Sequence, residues 1–172
     1  MLRIGNQTSC WTTTPTEPFE YALARQFGAF EWFPDKKPGV GWDDADLDSN
    51  AREAIRERAG ASGMRLSVHA RWQANLFSEE GRALIMRDIE LARDLDAALL
   101  NIHLEHERGL EAFLDAILPL VEHTAKAGLQ LAIENTPLHA PEQFNELFSR
   151  LGSCPAAGMG HVGMCFDMGH AN

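Results

Sequence analysis

Side chains able to bind a metal ion recur along this sequence at a nearly constant interval, each at the end of a short apolar stretch. They are Glu31, His69, His103, Glu134 and Asp167, with His170 three positions after the last. From His69 onward the successive intervals are 34, 31 and 33 residues. Imidazole and carboxylate groups together suit zinc, manganese or cobalt ions. The pattern therefore predicts a divalent-metal site with Glu134, Asp167 and His170 at its centre.

Each of these residues also has an ordinary structural explanation when taken alone. A strand-end histidine is usually hydrogen bonded, a terminal glutamate is usually solvated, and an aspartate shortly before a glycine is common in turns. Five such residues at the same position of one repeat favour a shared site, because independent structural roles would not produce this regular placement. Gly169, between Asp167 and His170, lets the chain turn so that both side chains can face one site.

Aromatic residues follow two of the apolar stretches. Trp11 comes after the first stretch and Trp72 after the third, where they either line a pocket or pack at its rim. Cys165 lies two residues before Asp167 and so points to the same side of its strand, where a buried and unreactive thiol is expected.

The elements that must position these residues are strands alternating with helices. An interval of about 30 residues accommodates one strand and one crossover helix. Strands are predicted at residues 2–6, 27–31, 65–69, 99–103, 129–134 and 163–167. An all-parallel α/β fold follows, either an open doubly wound sheet or a (β/α)8 barrel. A TIM-barrel type of about six βα units is favoured, because polar residues end nearly every strand and no Gly-x-Gly-x-x-Gly follows the first.

Helices are predicted between the strands from apolar residues at helical spacing. They cover residues 18–27 and 48–59, and others begin after Ser78, near Leu110 and at Pro141. Ser78 is an expected N-cap, and Pro141 suits a first helical turn. Pro119 lies inside the fourth helix, where it predicts a kink or a local break.

Composition limits the classes of function. The 172 residues are 45% hydrophobic and 23% charged, which predicts one domain covering residues 1–172. A formal net charge of −10 makes non-specific nucleic-acid binding unexpected. Cys10, Cys154 and Cys165 are odd in number and widely spaced, so reduced thiols and a cytoplasmic location are expected. Neither a secretory leader nor an apolar run of the roughly 20 residues that span a membrane is visible.

Two segments resemble a known superfamily. Residues 131–136 read Leu-Ala-Ile-Glu-Asn-Thr, and residues 165–172 read Cys-Phe-Asp-Met-Gly-His-Ala-Asn. With these motifs the sequence resembles the xylose isomerase-like TIM-barrel superfamily, which includes sugar epimerases, sugar-phosphate isomerases and family-two apurinic endonucleases. The resemblance implies that Glu134 and Asp167 bind the metal. It further implies that His170 contacts substrate, as in the epimerase branch, or binds zinc, as in the endonuclease branch.

Two further histidines extend the resemblance. His69 and His103 match zinc ligands of the endonuclease branch, and other branches keep substrate-binding histidines at these places. The resemblance therefore implies a metal set of Glu134, Asp167, His170, His69 and His103. The expected ion is zinc or manganese, with magnesium or cobalt as alternatives.

The activity implied is that of a sugar or sugar-phosphate isomerase or epimerase. Glu134 would act as the base that removes a proton, and the metal would stabilise the resulting enediolate. The substrate would be a small sugar or sugar phosphate. The side chains expected to bind it are Trp11, Glu31, Trp72 and Asn135.

Two alternatives stay open. One is a zinc-cluster hydrolase or phosphodiesterase related to the apurinic endonucleases, in which the histidines and carboxylates share two or three zinc ions. The other is an inactive remnant that acts as a binding protein.

The resemblance also predicts what this sequence lacks. The family has a seventh strand with a histidine ligand and an eighth with a glutamate ligand, whereas this sequence ends at Asn172. A fragment of a longer enzyme is the favoured explanation, ahead of completion by a partner chain or a degenerate remnant. Unpaired edges at the first and sixth strands would favour self-association.

Overall fold

Six strands alternate with five α-helices in the computed structural model, which describes residues 2–105, 107–153 and 160–171. The strands are β1 (Gly5–Gln7), β2 (Ala29–Trp32), β3 (Arg65–His69), β4 (Leu99–His103), β5 (Gln130–Glu134) and β6 (Val162–Cys165). The helices are α1 (Thr16–Ala24), α2 (Ser49–Ser62), α3 (Glu79–Asp94), α4 (Leu110–Lys126) and α5 (Pro141–Gly152). A short 3-10 helix covers Asp44–Asp46.

The strands form one parallel sheet in chain order, from β1 at one edge to β6 at the other. This arrangement confirms the predicted α/β fold of TIM-barrel type. The sheet is open, so strand pairing stops at β1 and β6 within the part of the chain described. None of the helices in these described ranges is long and apolar enough to cross a membrane.

The two faces of the sheet differ in polarity because successive strand residues point to opposite sides. One face is apolar and packs under the helices; it includes Phe30, Val68, Leu100, Ile102, Leu131 and Ile133, all nearly inaccessible to solvent. The opposite face, called here the inner face, carries Glu31, Ser67, His69, Asn101, His103 and Glu134. Burial of the first face holds the helices on the sheet, and the inner face is left free for polar groups.

The helices follow the sequence signals closely. The Ser78 side chain accepts a hydrogen bond from the Gly81 N–H and caps α3, as predicted. Pro141 occupies the first turn of α5. The first helix begins and ends earlier than expected, at Thr16 and Ala24 rather than over residues 18–27.

Pro119 does not break α4, which runs without interruption from Leu110 to Lys126. A proline removes the hydrogen bond to the carbonyl four residues earlier, which here belongs to Asp115. Both residues are exposed, so water can solvate that carbonyl. Buried Phe113, Ile117 and Val121 keep the helix on the sheet through the proline.

The turns that lead from helix to strand share one backbone feature. Those before β2, β3, β4 and β5 each contain a residue with positive φ, shortly before the strand: Gln26, Gly63, Asp96 and Gly128. Only glycine adopts this left-handed conformation without steric cost. Before β2, β3, β4 and β5 the N–H of the following residue also bonds to the carbonyl five residues earlier, so the same turn geometry recurs at four places, with glycine at two of them.

Candidate metal centre

The carboxyl ends of β3, β4 and β5 bring three predicted residues together. His69, His103 and Glu134 are the last residues of these strands, and His103 is the register partner of Glu134. The Nε2 atom of His69 lies 3.3 Å from Glu134 Oε2, and Nε2 of His103 lies 3.7 Å from Glu134 Oε1. We call these three residues the inner triad. Their potential ligand atoms all lie within 4.8 Å of one another, which is close enough to share one metal ion.

A second group, called here the outer triad, consists of Glu134, Asp167 and His170. The last two lie in the turn after β6, two and five residues beyond the end of the strand. Nδ1 of His170 lies 3.5 Å from Glu134 Oε1 and 3.6 Å from Asp167 Oδ2. The ligand atoms again fall within 4.8 Å of one another. Glu134 thus belongs to two adjacent groups, each with the ligand types that divalent ions bind.

Hydrogen bonding at His69 indicates that the inner triad needs a proton or a metal ion. Its Nδ1 lies 2.7 Å from the carbonyl oxygen of Ala70, so Nδ1 must carry a proton and donate it. In the neutral imidazole Nε2 then holds a lone pair, yet it faces a carboxylate oxygen of Glu134. Two acceptors at this distance repel unless a proton or a metal ion lies between them. A histidine that donates one N–H to a carbonyl and turns its other nitrogen inward has the arrangement typical of metal ligands.

The electrostatics of the pair agree with this description. Burial alone lowers the pKa of His69, but the hydrogen bond to Glu134 and the charge of Glu31 outweigh it and raise that pKa. Burial alone raises the pKa of Glu134, but contacts with His103 and His69 outweigh it and hold that pKa well below its usual range. In the absence of metal, the proton therefore sits between His69 and a charged Glu134. The donor set of this chain fits a divalent cation.

Two asparagines hold the carboxylate ligands. Asn101, buried in β4, donates from Nδ2 to Glu134 Oε2. Asn135 donates from Nδ2 to the carbonyl of Asp167 (2.9 Å) and accepts from the Asp167 N–H (2.7 Å). The carbonyl of Asn135 also accepts from His170 Nδ1 at 2.8 Å. Asn135 was predicted to bind substrate, but both polar atoms of its side chain are engaged in holding the Asp167 turn.

Sequence reasoning missed Asn101. Its signal was a single polar residue inside the apolar stretch Leu99–His103, two positions before His103 and therefore on the same face. A residue of this kind in a buried strand needs a partner, and Glu134 on the neighbouring strand supplies it.

A cavity of about 580 Å³ opens above the two triads. Its lining includes all five predicted ligands together with Gln7, Glu31, Phe33, Trp72, Cys165, Phe166, Met168 and Gly169. Glu31 accepts a hydrogen bond from Ser67 Oγ at 3.0 Å, and burial raises the pKa of its carboxyl. Trp72 packs edge-on against His103, with ring centroids 5.3 Å apart. Trp11 is not part of this lining and is 71% exposed.

The cysteines differ in their relation to the cavity. Cys165 lines it beside Glu134, and its side chain is half-buried rather than fully buried as expected. Burial and the charge of Glu134 raise the pKa of this thiol to about 12, which agrees with the predicted lack of reactivity. Cys10 is also a free thiol. The expectation for Cys154 falls outside the described residues.

Comparisons with known proteins agree with this architecture. The family model described as xylose isomerase-like TIM barrel matches residues 19–172. No curated protein matches the sequence. Among solved structures, a D-psicose 3-epimerase crystallised with D-fructose has a TM-score of 0.74 at 16% identity, covering 99% of this chain and 65% of its own. A xylose isomerase domain protein from Planctomyces limnophilus has a TM-score of 0.71 at 13% identity, covering 98% and 64%.

A third similar structure was soaked with a metal salt. The TTHB071 protein from Thermus thermophilus, soaked with ZnCl2, has a TM-score of 0.65 at 24% identity, covering 98% of this chain and 67% of its own. Identities this low show a shared fold and no more. The chain spans about two thirds of the length of these structures.

Proposed function

Because this chain belongs to the xylose isomerase-like TIM barrel family, we propose that its site performs metal-dependent isomerisation or epimerisation of a small sugar or sugar phosphate. The single observation that carries the proposal is the placement of Glu134. It is the shared carboxylate of two metal-ligand groups and lines a cavity large enough for a small molecule. A bound zinc, manganese, magnesium or cobalt ion would polarise a substrate carbonyl and lower the barrier to proton loss from the neighbouring carbon.

The protein residues would divide the remaining tasks. Glu134 would remove the proton, since it lines the cavity and Asn101 fixes the orientation of its carboxylate. His170 would be available at Nε2 for a substrate hydroxyl or a metal, because Nδ1 is held by the Asn135 carbonyl. Glu31 and Trp72 line the same cavity and would contact the remainder of the substrate.

The chain spans about two thirds of the relatives named above, so this activity is proposed for the site together with further strands that cover the open side of the sheet. The 172 residues alone would bind the metal ion, because both triads lie within them. Trp11 would contact substrate only from such a completed cavity.

Exchange of a substrate proton with solvent tests the proposal. The protein is loaded with Mn²⁺ or Zn²⁺ and incubated with free ketoses in D2O, and deuterium at the carbon next to the carbonyl is followed by NMR. We expect slow incorporation, absent in Glu134→Gln and retained in Glu90→Gln, an exposed glutamate on α3. Measurable incorporation that is equal in Glu134→Gln and the unaltered protein would exclude Glu134 as the base.

A second candidate function is supported by the presence of two triads rather than one. Adjacent metal positions that share a carboxylate are typical of two-metal hydrolases, in which the ions activate water and stabilise the leaving oxygen. Metal stoichiometry separates the two functions. One Zn²⁺ per chain after dialysis supports the isomerase, whereas two supports the hydrolase. Failure to bind Zn²⁺ or Mn²⁺ at micromolar concentration would leave only a non-enzymatic binding protein.

A further inference from the structure

A buried ion pair lies directly beneath one wall of the cavity. Arg71 and Asp88 are 6% and 0% exposed, and they join the segment after β3 to helix α3. Asp88 accepts from the backbone N–H of Arg71 at 3.1 Å and from Nε of the same residue at 3.0 Å. Arg71 Nη2 also donates to Asp44 Oδ1 at 2.8 Å. The guanidinium and the backbone of one residue are therefore fixed together, which a simple surface ion pair does not achieve.

The far end of the same segment is fixed independently. Glu105 accepts a hydrogen bond from the Leu76 N–H (3.2 Å), and Arg82 donates to the Leu76 carbonyl at 3.0 Å. Gly81 approaches so closely that a Cβ there would lie 2.0 Å from the Asn75 carbonyl oxygen. The loop between β3 and α3 is thus held at both ends by side chains from α3 and from the segment after β4.

Trp72 is the residue that this framework presents to the cavity. It follows Arg71 directly, lines the cavity and packs against His103, yet 66% of its surface is exposed. An exposed indole gains little stability from so few contacts, so packing against His103 alone would leave this side chain free to move. The ion pair one residue away holds the backbone from which the indole projects.

We propose that Arg71 and Asp88 are positioning residues, which hold Trp72 as a preformed wall against which the apolar C–H face of a sugar stacks. If the indole is already ordered before the ligand binds, binding does not carry the entropy cost of ordering that side chain. The proposal rests on the proposed function for the identity of the ligand. The fixed position of Trp72 can be tested without any ligand.

Fluorine NMR of protein labelled with 5-fluorotryptophan provides that test. The sequence has four tryptophans, and the Trp72 line is identified by its loss in Trp72→Phe. In metal-free Asp88→Asn, we expect the transverse relaxation rate of the Trp72 line to fall about twofold, because the indole gains fast local motion. The lines of Trp11, Trp32 and Trp42 serve as internal references and should not change.

Two further variants keep the test decisive. Glu90→Gln removes the same charge from an exposed position on α3 and should leave all four lines unchanged. If Asp88→Asn does not fold, Asp44→Asn weakens the outer contact to Arg71, together with the contact of Asp44 with exposed Arg87, and should change the relaxation rate of the Trp72 line in the same direction by a smaller amount. A folded Asp88→Asn or Asp44→Asn with an unaltered Trp72 line would overturn the proposal. If the ion pair only stabilises the fold, its removal would lower the melting temperature without changing the relaxation rate of the Trp72 line.

Addition of Co²⁺ distinguishes this proposal from the proposed function. Paramagnetic Co²⁺ bound by the inner triad would broaden the Trp72 line, because Trp72 touches His103. If no line broadens, the metal site is wrong, while the metal-free relaxation rates still decide the role of Arg71 and Asp88.

Discussion

The inner and outer triads share Glu134 but are built differently. His69 and His103 end central strands, and their side chains are 9% and 18% exposed. Asp167 and His170 lie beyond the edge strand β6, and their side chains are 37% and 32% exposed. The sheet itself therefore holds the inner ligands, whereas Asn135 holds the outer ligands, through its side chain at Asp167 and through its backbone carbonyl at His170. The two groups therefore contain the same types of ligand but differ in the elements that hold those ligands in place.

Removal of the shared carboxylate should abolish the distinction between the triads and have the largest effect. In Glu134→Gln both groups lose an anionic ligand, so we expect Zn²⁺ affinity to fall more than about 100-fold, beyond what loss of a supporting hydrogen bond produces. Isothermal titration at pH 7.5 measures it. Asp167→Asn is the matched comparison, because it alters only the outer triad and should retain binding at the inner one. Equal losses in the two variants would show that the triads are not separate.

Removal of the asparagine clamp should weaken the outer triad alone. Asn135→Ala deletes two hydrogen bonds to the Asp167 backbone, so we expect a loss of about 10-fold in affinity at the outer triad. It should also lower the free energy of unfolding by about 1–3 kcal/mol. Asn101→Ala is the counterpart for the inner triad, since it frees Glu134 on the central strands. Zn²⁺ titrations and urea unfolding of both variants measure these effects, and an unchanged Asn135→Ala would contradict the proposed dependence.

The pH dependence of stability should distinguish the protonated inner triad from its metal-bound form. The raised pKa of His69 gives stability that is complete below its ordinary value of 6.5 and is lost as pH rises through the folded value. The lowered pKa of Glu134 gives stability present above 4.5 and lost as pH falls through the folded value. The metal-free protein should therefore melt at a lower temperature at pH 8.5 than at pH 6.

Two controls assign that alkaline loss. It should become smaller in His69→Gln, because the titrating imidazole is gone, while the part that comes from Glu105, whose pKa burial raises to about 7, should remain. It should also become smaller when Zn²⁺ replaces the proton. Thermal melts at pH 6, 7 and 8.5, with and without Zn²⁺, measure both. A melting temperature that does not change over this range in metal-free protein would show that no proton is held between His69 and Glu134.

The smallest effect is expected at the thiol beside Glu134. With a pKa of about 12, Cys165 should react with iodoacetamide at pH 8 more slowly than Cys10, although both are half-buried. Glu134→Gln should speed the reaction, because the negative charge of Glu134 contributes to the high pKa. Peptide mass spectrometry measures the rates. If Cys165 is labelled as fast as Cys10, burial and the charge of Glu134 do not raise the pKa of this thiol.

The sequence predicted the centre of the sheet better than its edges. The bounds of β3 and β4 agree with prediction because both strands pair on two sides and end in a polar residue. At the edges β1 is shorter and shifted to Gly5–Gln7, and β6 ends two residues before Asp167. Edge strands have one neighbour, so their ends are set by local turns that hydrophobic alternation does not encode.

The candidate site shows the same limit. Four of the five proposed ligands lie at the same position of one repeat and His170 follows three residues later, and the structure brings all five to one rim; their roles stay predictions. The contacts of Asn101 with Glu134 and of Arg71 with Asp88 could not be predicted, because they join side chains 33 and 17 positions apart across different elements. Periodicity indicates which face a residue occupies but does not identify its partner there.

The recurring left-handed turn before each strand from β2 to β5 has a consequence for how such a protein can change. Since helices α1 to α4 lead into the sheet through the same backbone shape, one of these βα units can replace another without altering how the chain meets its neighbours. The residues at the opposite end of each strand are then free to vary independently. Architecture and chemistry are thus inherited separately, and a new reaction can evolve at the strand ends while the turns at the other end stay as they are.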